Sequence, residues 1–135
     1  MSVLEKLEHK KVSRDTLTPL IKLAKKTDNY LEFKEVAGLQ WYATYLSDKI
    51  VAFTALFIRG KNCRIRSAYV HPNFRGNGIY GEALKYRIAI AQEEGCEKVN
   101  AYFAPTSLKV AVKHGFEPKH TNKYGITYAV KTLKK

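Results

Sequence analysis

The densest concentration of chemically useful residues lies in one stretch, Ala68-Tyr69-Val70-His71-Pro72-Asn73-Phe74-Arg75-Gly76-Asn77-Gly78-Ile79-Tyr80-Gly81-Glu82-Ala83-Leu84. A β-branched and aromatic run ends at Val70, Pro72 stops it, and Gly76, Gly78 and Gly81 lead into a helical pattern. The stretch reads as a strand, a tight loop and a helix N-terminus. Glycines at such a junction let the backbone come close to a ligand, and the unpaired N–H groups of the first helical turn carry the positive end of the helix dipole. With the guanidinium of Arg75 beside them, the local physics is that of a phosphate site. A bare turn would need neither the arginine nor the third glycine.

Gly76, Gly78 and Gly81 also fit the spacing G-x-G-x-x-G of the dinucleotide-binding fingerprint. That fingerprint opens a βαβ unit and is followed about 20 residues on by an acid that binds ribose. Here the next strand ends Ala101-Tyr102-Phe103-Ala104 without a carboxylate. What precedes Ala68 is mostly antiparallel in pattern and leaves no room for a doubly wound sheet.

Other elements must hold this stretch in place. Val3 to Val12 is compatible with a first strand or a ragged helix. Ser13-Arg14-Asp15-Thr16 is a cluster of capping residues, and Leu17, Leu20, Ile21 and Ala24 follow at helical spacing, so a helix is expected from about Asp15 to Lys26. Leu39–Leu46 and Lys49–Arg59, rich in β-formers and separated by Ser47-Asp48, predict a hairpin. A turn at Gly60-Lys61-Asn62 leads to a third antiparallel strand, Cys63 to Val70. On it Arg64 and Arg66 share one face, and Cys63, Ile65 and Ser67 the other. Ile79 to Glu94 predicts a helix with Ala83, Leu84, Ile88 and Ala91 as its buried stripe, ended by Gly95. Glu97 to Phe103 reads as a parallel strand, because a helix connects it to its predecessor. Pro105-Thr106-Ser107 caps a short helix through about His114. A basic loop and a final strand near Tyr124 to Thr132 complete the chain.

At 135 residues the chain is expected to form one domain with a single real core, residues 1–135. Met1 to Lys11 lacks the apolar stretch of an export signal, and the longest apolar run, Ile50 to Ile58, is about half of what a bilayer crossing needs. A cytoplasmic protein without membrane contact is the expectation. Cys63 and Cys96 read as free thiols, and His9, His71, His114 and His120 stand too far apart in sequence for metal-ligand spacing. The charge is unusual, with 24 Lys and Arg against 12 Asp and Glu for a net of +12. Such a field attracts anions, and it reads either as a solubilising surface or as the mark of an acidic partner, nucleic acid first among them.

Val70-x-Pro72-x-x-Arg75-Gly76-x-Gly78-Ile79 closely resembles the acetyl-coenzyme A signature of the GNAT (GCN5-related) N-acetyltransferases, R/Q-x-x-G-x-G/A after a strand ending V-x-P. Tyr80 departs from the last Gly or Ala, with Gly81 just behind it. The element order, and Lys113-His114-Gly115-Phe116 as a late K-x-G-F, extend the resemblance from about residue 13 onward. The resemblance implies an α/β fold of mixed, mostly antiparallel twisted sheet flanked by helices, with a splayed parallel strand pair holding the cofactor. It implies that acetyl-CoA is the cofactor and that it is bound through Tyr69, Val70, Arg75, Gly76, Asn77, Gly78, Ile79, Tyr80 and Gly81. Ser107 is expected to reach the pantetheine or to cap its helix. A backbone N–H near Val70 would polarise the thioester carbonyl. The acceptor, an amine, would be bound partly by residues 27–38, which carry Glu32 and Glu35.

Transfer to an amine needs a neutral amine and a way to protonate the departing thiolate. Many family members use a Tyr four residues before the Gly of the G-F pair, which here is Ala111, and a Glu on the strand before the signature, where the nearest match is Ser67. Catalysis then rests on positioning with water as base, or on replacements among Tyr102, Glu35, Tyr124 and Tyr80. Alternatively the chain modifies nucleobases, as some phage proteins with GNAT-like folds do, or binds coenzyme A or nucleic acid without turnover. Basic clusters interleaved with tyrosines and Trp41 are compatible with phosphate contacts and base stacking. An exposed final strand could pair with a second copy.

Overall fold

The computed structural model describes residues 6–27 and 38–133, the side chain of Ser67 apart. The ambiguous N-terminal stretch is a strand, β1 (Leu7–Val12), antiparallel to β2 (Leu39–Leu46). A 3-10 turn (Arg14–Leu17) precedes α1 (Thr18–Thr27) in place of one continuous helix. Pro19 explains the difference: it has no N–H for the Asp15 carbonyl, which instead accepts from Thr18 in the tighter pattern.

The expected meander is present. β2, β3 (Lys49–Arg59) and β4 (Asn62–Val70) run antiparallel, and Ser47 supplies the left-handed φ of 56° that the tight β2–β3 turn requires. α2 (Ile79–Glu93) then crosses to β5 (Lys98–Phe103), which pairs parallel with β4. α3 (Pro105–Lys113), β6 (Glu117–Thr121) and β7 (Thr127–Thr132) follow. The seven-stranded sheet has the order β1-β2-β3-β4-β5-β7-β6.

Two expectations at the C-terminal end are corrected. The basic loop is largely β6, and the final strand β7 is internal, paired with both β5 and β6, so the exposed edge is β6. Pro118 argues against a central strand but is tolerated at an edge, where it adjoins a register shift before His120.

Side-chain alternation along the strands sends residues to two cores. Trp41, Ala43, Phe53, Ala55 and Tyr69 pack under the Leu17, Leu20, Ile21 and Ala24 stripe of α1. Tyr42, Leu56, Cys63, Ile65, Val99 and Phe103 face the other way, against Leu84 and Ile88 of α2 and Ala111 of α3. Helices thus lie on both faces of the sheet. Among the described residues no helix is long and apolar enough to cross a membrane.

Candidate active site

The parallel pair β4–β5 holds together only from Asn62–Arg64 against Lys98–Asn100. Beyond that the strands part, and a cleft of about 680 Å³ opens between Ile65–Val70 and Ala101–Ala104. One cause is on the far side of β4, where Phe53 pairs with Tyr69 but Ala55 with Arg66, so that two residues of β4 oppose Thr54 alone. Such a bulge bends its strand and ends regular pairing.

The glycine-rich loop closes one end of the cleft. Gly76 (φ 86°) and Gly78 (φ 79°) both need the left-handed region, and Gly78 is the residue from which α2 starts. Gly81 serves packing instead: a Cβ there would lie 3.4 Å from both His114 Nε2 and Val110 Cγ1, so its absence lets α3 approach α2. The first-turn N–H groups of α2 have no acceptor within the helix. Arg75 Nε donates to the Val70 carbonyl at 2.9 Å, and its guanidinium carbon lies 5.2 Å from the Tyr69 ring centre. Asn73 N donates to His71 Nδ1 at 3.1 Å, which sets the short turn between strand and loop.

Of the residues expected to bind a cofactor, Tyr69, Val70, Arg75, Gly76, Gly78, Ile79, Tyr80, Gly81 and Ser107 all line the cleft. Asn77 does not; its Nδ2 donates to the Phe74 carbonyl at 3.1 Å and braces the loop. Ser107 is not the cap of α3, since that place is Ala104; its hydroxyl donates back to the Ala104 carbonyl at 3.1 Å. Tyr102 lines the cleft and is 55% exposed. Tyr124 stands in the β6–β7 turn, 77% exposed, with Lys123 Nζ 5.2 Å from its ring centre, and is not part of the cleft wall. Glu35, Glu32 and the loop expected to help bind the acceptor fall outside the described residues, as does the side chain of Ser67. Ala111 is fully buried, so nothing at that position reaches the cleft.

The sequence reading missed Arg87. All four expected stripe residues of α2 are buried, yet Arg87 among them is only 1% exposed. Its Nε donates to the Ala83 carbonyl at 3.1 Å and its Nη1 to Thr54 Oγ1 at 2.6 Å. It also hydrogen-bonds Tyr80, whose ring centre is 5.5 Å from the guanidinium carbon. Thr54 in turn donates to the Arg66 carbonyl, at 3.4 Å, beside the bulge. The chain of bonds runs from α2 through β3 to β4 and ties the β4 wall of the cleft to one buried cation. Burial pulls the guanidinium below its ordinary value, partly offset by Tyr80. The only hint in the sequence was Tyr80 itself, standing where the signature has Gly or Ala.

Cys63 and Cys96 are free, as expected, and both are buried. Burial pushes the Cys63 thiol up to about 12 and raises Cys96 as well, so neither is a thiolate nucleophile near neutrality.

The Acetyltransferase (GNAT) family model matches residues 8–116. The chain belongs to the GNAT acetyltransferase family. No curated protein matches it in sequence. Solved GNAT structures match it in fold. A PaiA N-acetyltransferase from Thermoplasma acidophilum, in complex with coenzyme A, superposes with a TM-score of 0.76 at 16% identity, covering 94% of this chain and 99% of that one. A GNAT acetyltransferase from Elizabethkingia anophelis with acetyl-CoA bound gives 0.76 at 15%, over 96% and 99% of the two chains. A spermidine N-acetyltransferase from Vibrio cholerae gives 0.81 at 10%, over 95% and 94%. The splayed β4–β5 pair and the loop at the start of α2 are therefore parts of a GNAT domain.

Proposed function

We propose that this GNAT domain is an acetyl-CoA-dependent N-acetyltransferase that acts on an amine acceptor, one that is acidic or associated with nucleic acid. The observation behind this is a single continuous cleft in which a parted parallel strand pair meets a glycine-built helix N-terminus. The fit to the cofactor is chemical as well as spatial: left-handed glycines bare the backbone N–H groups at the phosphate end, while the walls farther in are largely apolar side chains such as Ile65, Ala101 and Phe103. Coenzyme A or acetyl-CoA is present in two of the similar structures.

The loop from Arg75 to Gly81 would hold the pyrophosphate, and β4 with β5 the pantetheine. When bound, acetyl-CoA supplies the activated acetyl thioester. The protein orients it and presents the amine, which supplies a large part of the rate by positioning. Tyr102, which lines the cleft, is the candidate proton donor to the departing thiolate. Arg87, through Thr54, holds the strand on the opposite wall in shape.

A second reading keeps the cleft and makes the acceptor a nucleobase; the net charge of +12 favours it. Calorimetric titration with acetyl-CoA, with NADH as control, tests the cofactor. Binding of acetyl-CoA alone is expected; binding of NADH, or of neither, overturns the assignment. Release of free thiol from acetyl-CoA in the presence of amine or polynucleotide acceptors then separates an enzyme from a binding domain.

A further inference from the structure

The sheet face under α1 does not end where α1 ends. It continues across β4, β5, β7 and β6, where register places side chains in rows. Arg59 pairs with Asn62, Asn62 with Lys98 and Lys98 with Thr132. One row on, Arg64 pairs with Asn100 and Asn100 with Val130. The next row is aromatic, Tyr102 beside Tyr128 beside His120. Tyr102 and Tyr128 have ring centres 5.0 Å apart, and His120 stacks on Tyr128 at 5.4 Å.

The charge on this face is one-sided. Arg59, Arg64 and Lys98 are exposed and have no ion-pair partner among the described residues. The one acid described there, Glu117, is already held by Lys119 at 3.1 Å. Arg64 is preset: its Nε donates to Asn100 Oδ1 at 2.7 Å and its guanidinium carbon lies 5.6 Å from the Tyr102 ring centre. Beside the aromatic row lies a polar depression of about 310 Å³, lined by Lys98, Asn100 and Tyr128 together with the Glu117–Lys119 pair. Tyr102 belongs both to this face and to the cleft wall.

A row of rings flanked by exposed cations, one of them held in place by an amide, matches a polymer that alternates flat apolar groups with anions. An acidic protein segment would use the cations but not three adjoining rings, and a duplex keeps its base faces stacked inside. A face with Val130 as its aliphatic element is too polar for the core of a stable protein interface. We propose that this face binds a single-stranded polynucleotide, its bases stacked on Tyr102, Tyr128 and His120 and its phosphates met by Arg59, Arg64 and Lys98. The strand would then run past the mouth of the cleft. The inference deepens the proposed function by naming the acceptor's carrier, and it rests on that function only for why Tyr102 stands at the mouth.

The test is fluorescence anisotropy with a labelled mixed-sequence oligonucleotide, single-stranded in DNA and RNA forms, with unlabelled duplex and polyglutamate as competitors. The single strands are expected to bind with an affinity that falls steeply with salt, and neither competitor should displace them efficiently. Tyr128→Ala should weaken binding about tenfold, the size of one lost stacking contact. Arg64→Glu with Lys98→Glu should weaken it further and flatten the salt dependence by about two phosphate contacts. Lys22→Glu with Lys25→Glu, a charge change of the same size on α1, should change little. Stronger binding of the RNA or of the DNA form would identify the sugar. Equal competition by duplex or polyglutamate, a face variant that binds like the parent, or an equal loss in the α1 variant overturns the proposal. Melting temperature and acetyl-CoA titration of each variant verify folding. Loss of acetyl-CoA binding in the parent chain would sink the cofactor assignment and leave the oligonucleotide result readable.

Discussion

The two ends of the cleft are built by opposite means. At the loop end the backbone makes the site: Gly76 and Gly78 adopt left-handed φ, and α2 begins at Gly78, its first-turn N–H groups lying beyond the helix's own ladder of acceptors. At the mouth side chains make it, with Tyr102 on β5 next to Arg64 on β4 and Tyr128 on β7. A backbone site is local, because glycine spacing and a helix start lie within a few residues. A side-chain site is assembled by register among strands far apart in the chain. At the loop end a side chain at Gly76 or Gly78 strains the backbone. The mouth can be altered one group at a time.

The largest effect should come from breaking the backbone end. Gly78→Asp puts a Cβ at φ 79° and a negative charge where phosphate is expected, and should abolish acetyl-CoA binding in a chain that still unfolds cooperatively. Unchanged affinity in calorimetry would remove the loop from the site. At the mouth, Tyr102→Phe should lower kcat about a hundredfold if its hydroxyl protonates the thiolate, with KM for acetyl-CoA nearly constant. Undiminished turnover would leave positioning alone.

Between the two ends, Arg87→Met should cost about 1–3 kcal/mol in urea unfolding, because Thr54 loses its donor and the bond to the Arg66 carbonyl loses its brace. Acetyl-CoA affinity should fall as well. Full stability with reduced affinity would mean that the network shapes the cleft without supporting the fold.

The smallest effect expected is one of pH. His9 donates or accepts at Thr44 Oγ1 (2.9 Å), stacks on Tyr86 at 4.7 Å, and is held below its ordinary value of 6.5 chiefly by burial, with Glu82 opposing and Arg87 adding to the shift. As pH falls below about 6.5 the unfolded chain takes up a proton that the folded one resists, so stability declines on the acid side. His9→Gln should shallow that decline between pH 7 and pH 5. An unchanged slope would assign the acid sensitivity to other groups.

How far the sequence could be read followed the same division. The meander, α2, β5 and the glycine loop were all legible, since alternation, helical spacing and turn residues act over short range. The mistakes came where a local rule met a tertiary exception. Pro118 disguised an edge strand, Pro19 split a helix, and the polar stretch before Tyr124 concealed β6. Tyr124, attractive as a spare phenol, stands in a turn away from the cleft wall, and Asn77 braces the loop instead of lining the cleft. Arg87 was invisible because a charged residue on an exposed helix and one inside a core look alike in a sequence; its partner Thr54 is 33 residues away.

The amino-acid sequence by itself determined the glycine-rich loop at one end of the cleft, the order of the elements and the excess of positive charge. These depend on residue type and near-neighbour spacing, which a chain carries in any conformation. Only the tertiary structure decided that Arg59, Arg64 and Lys98 share one sheet face, that Tyr102 joins the cleft to an aromatic row, and that one buried arginine braces the bulged strand. Those are consequences of strand register and of the parting of β4 from β5, and they exist only once distant segments are packed side by side.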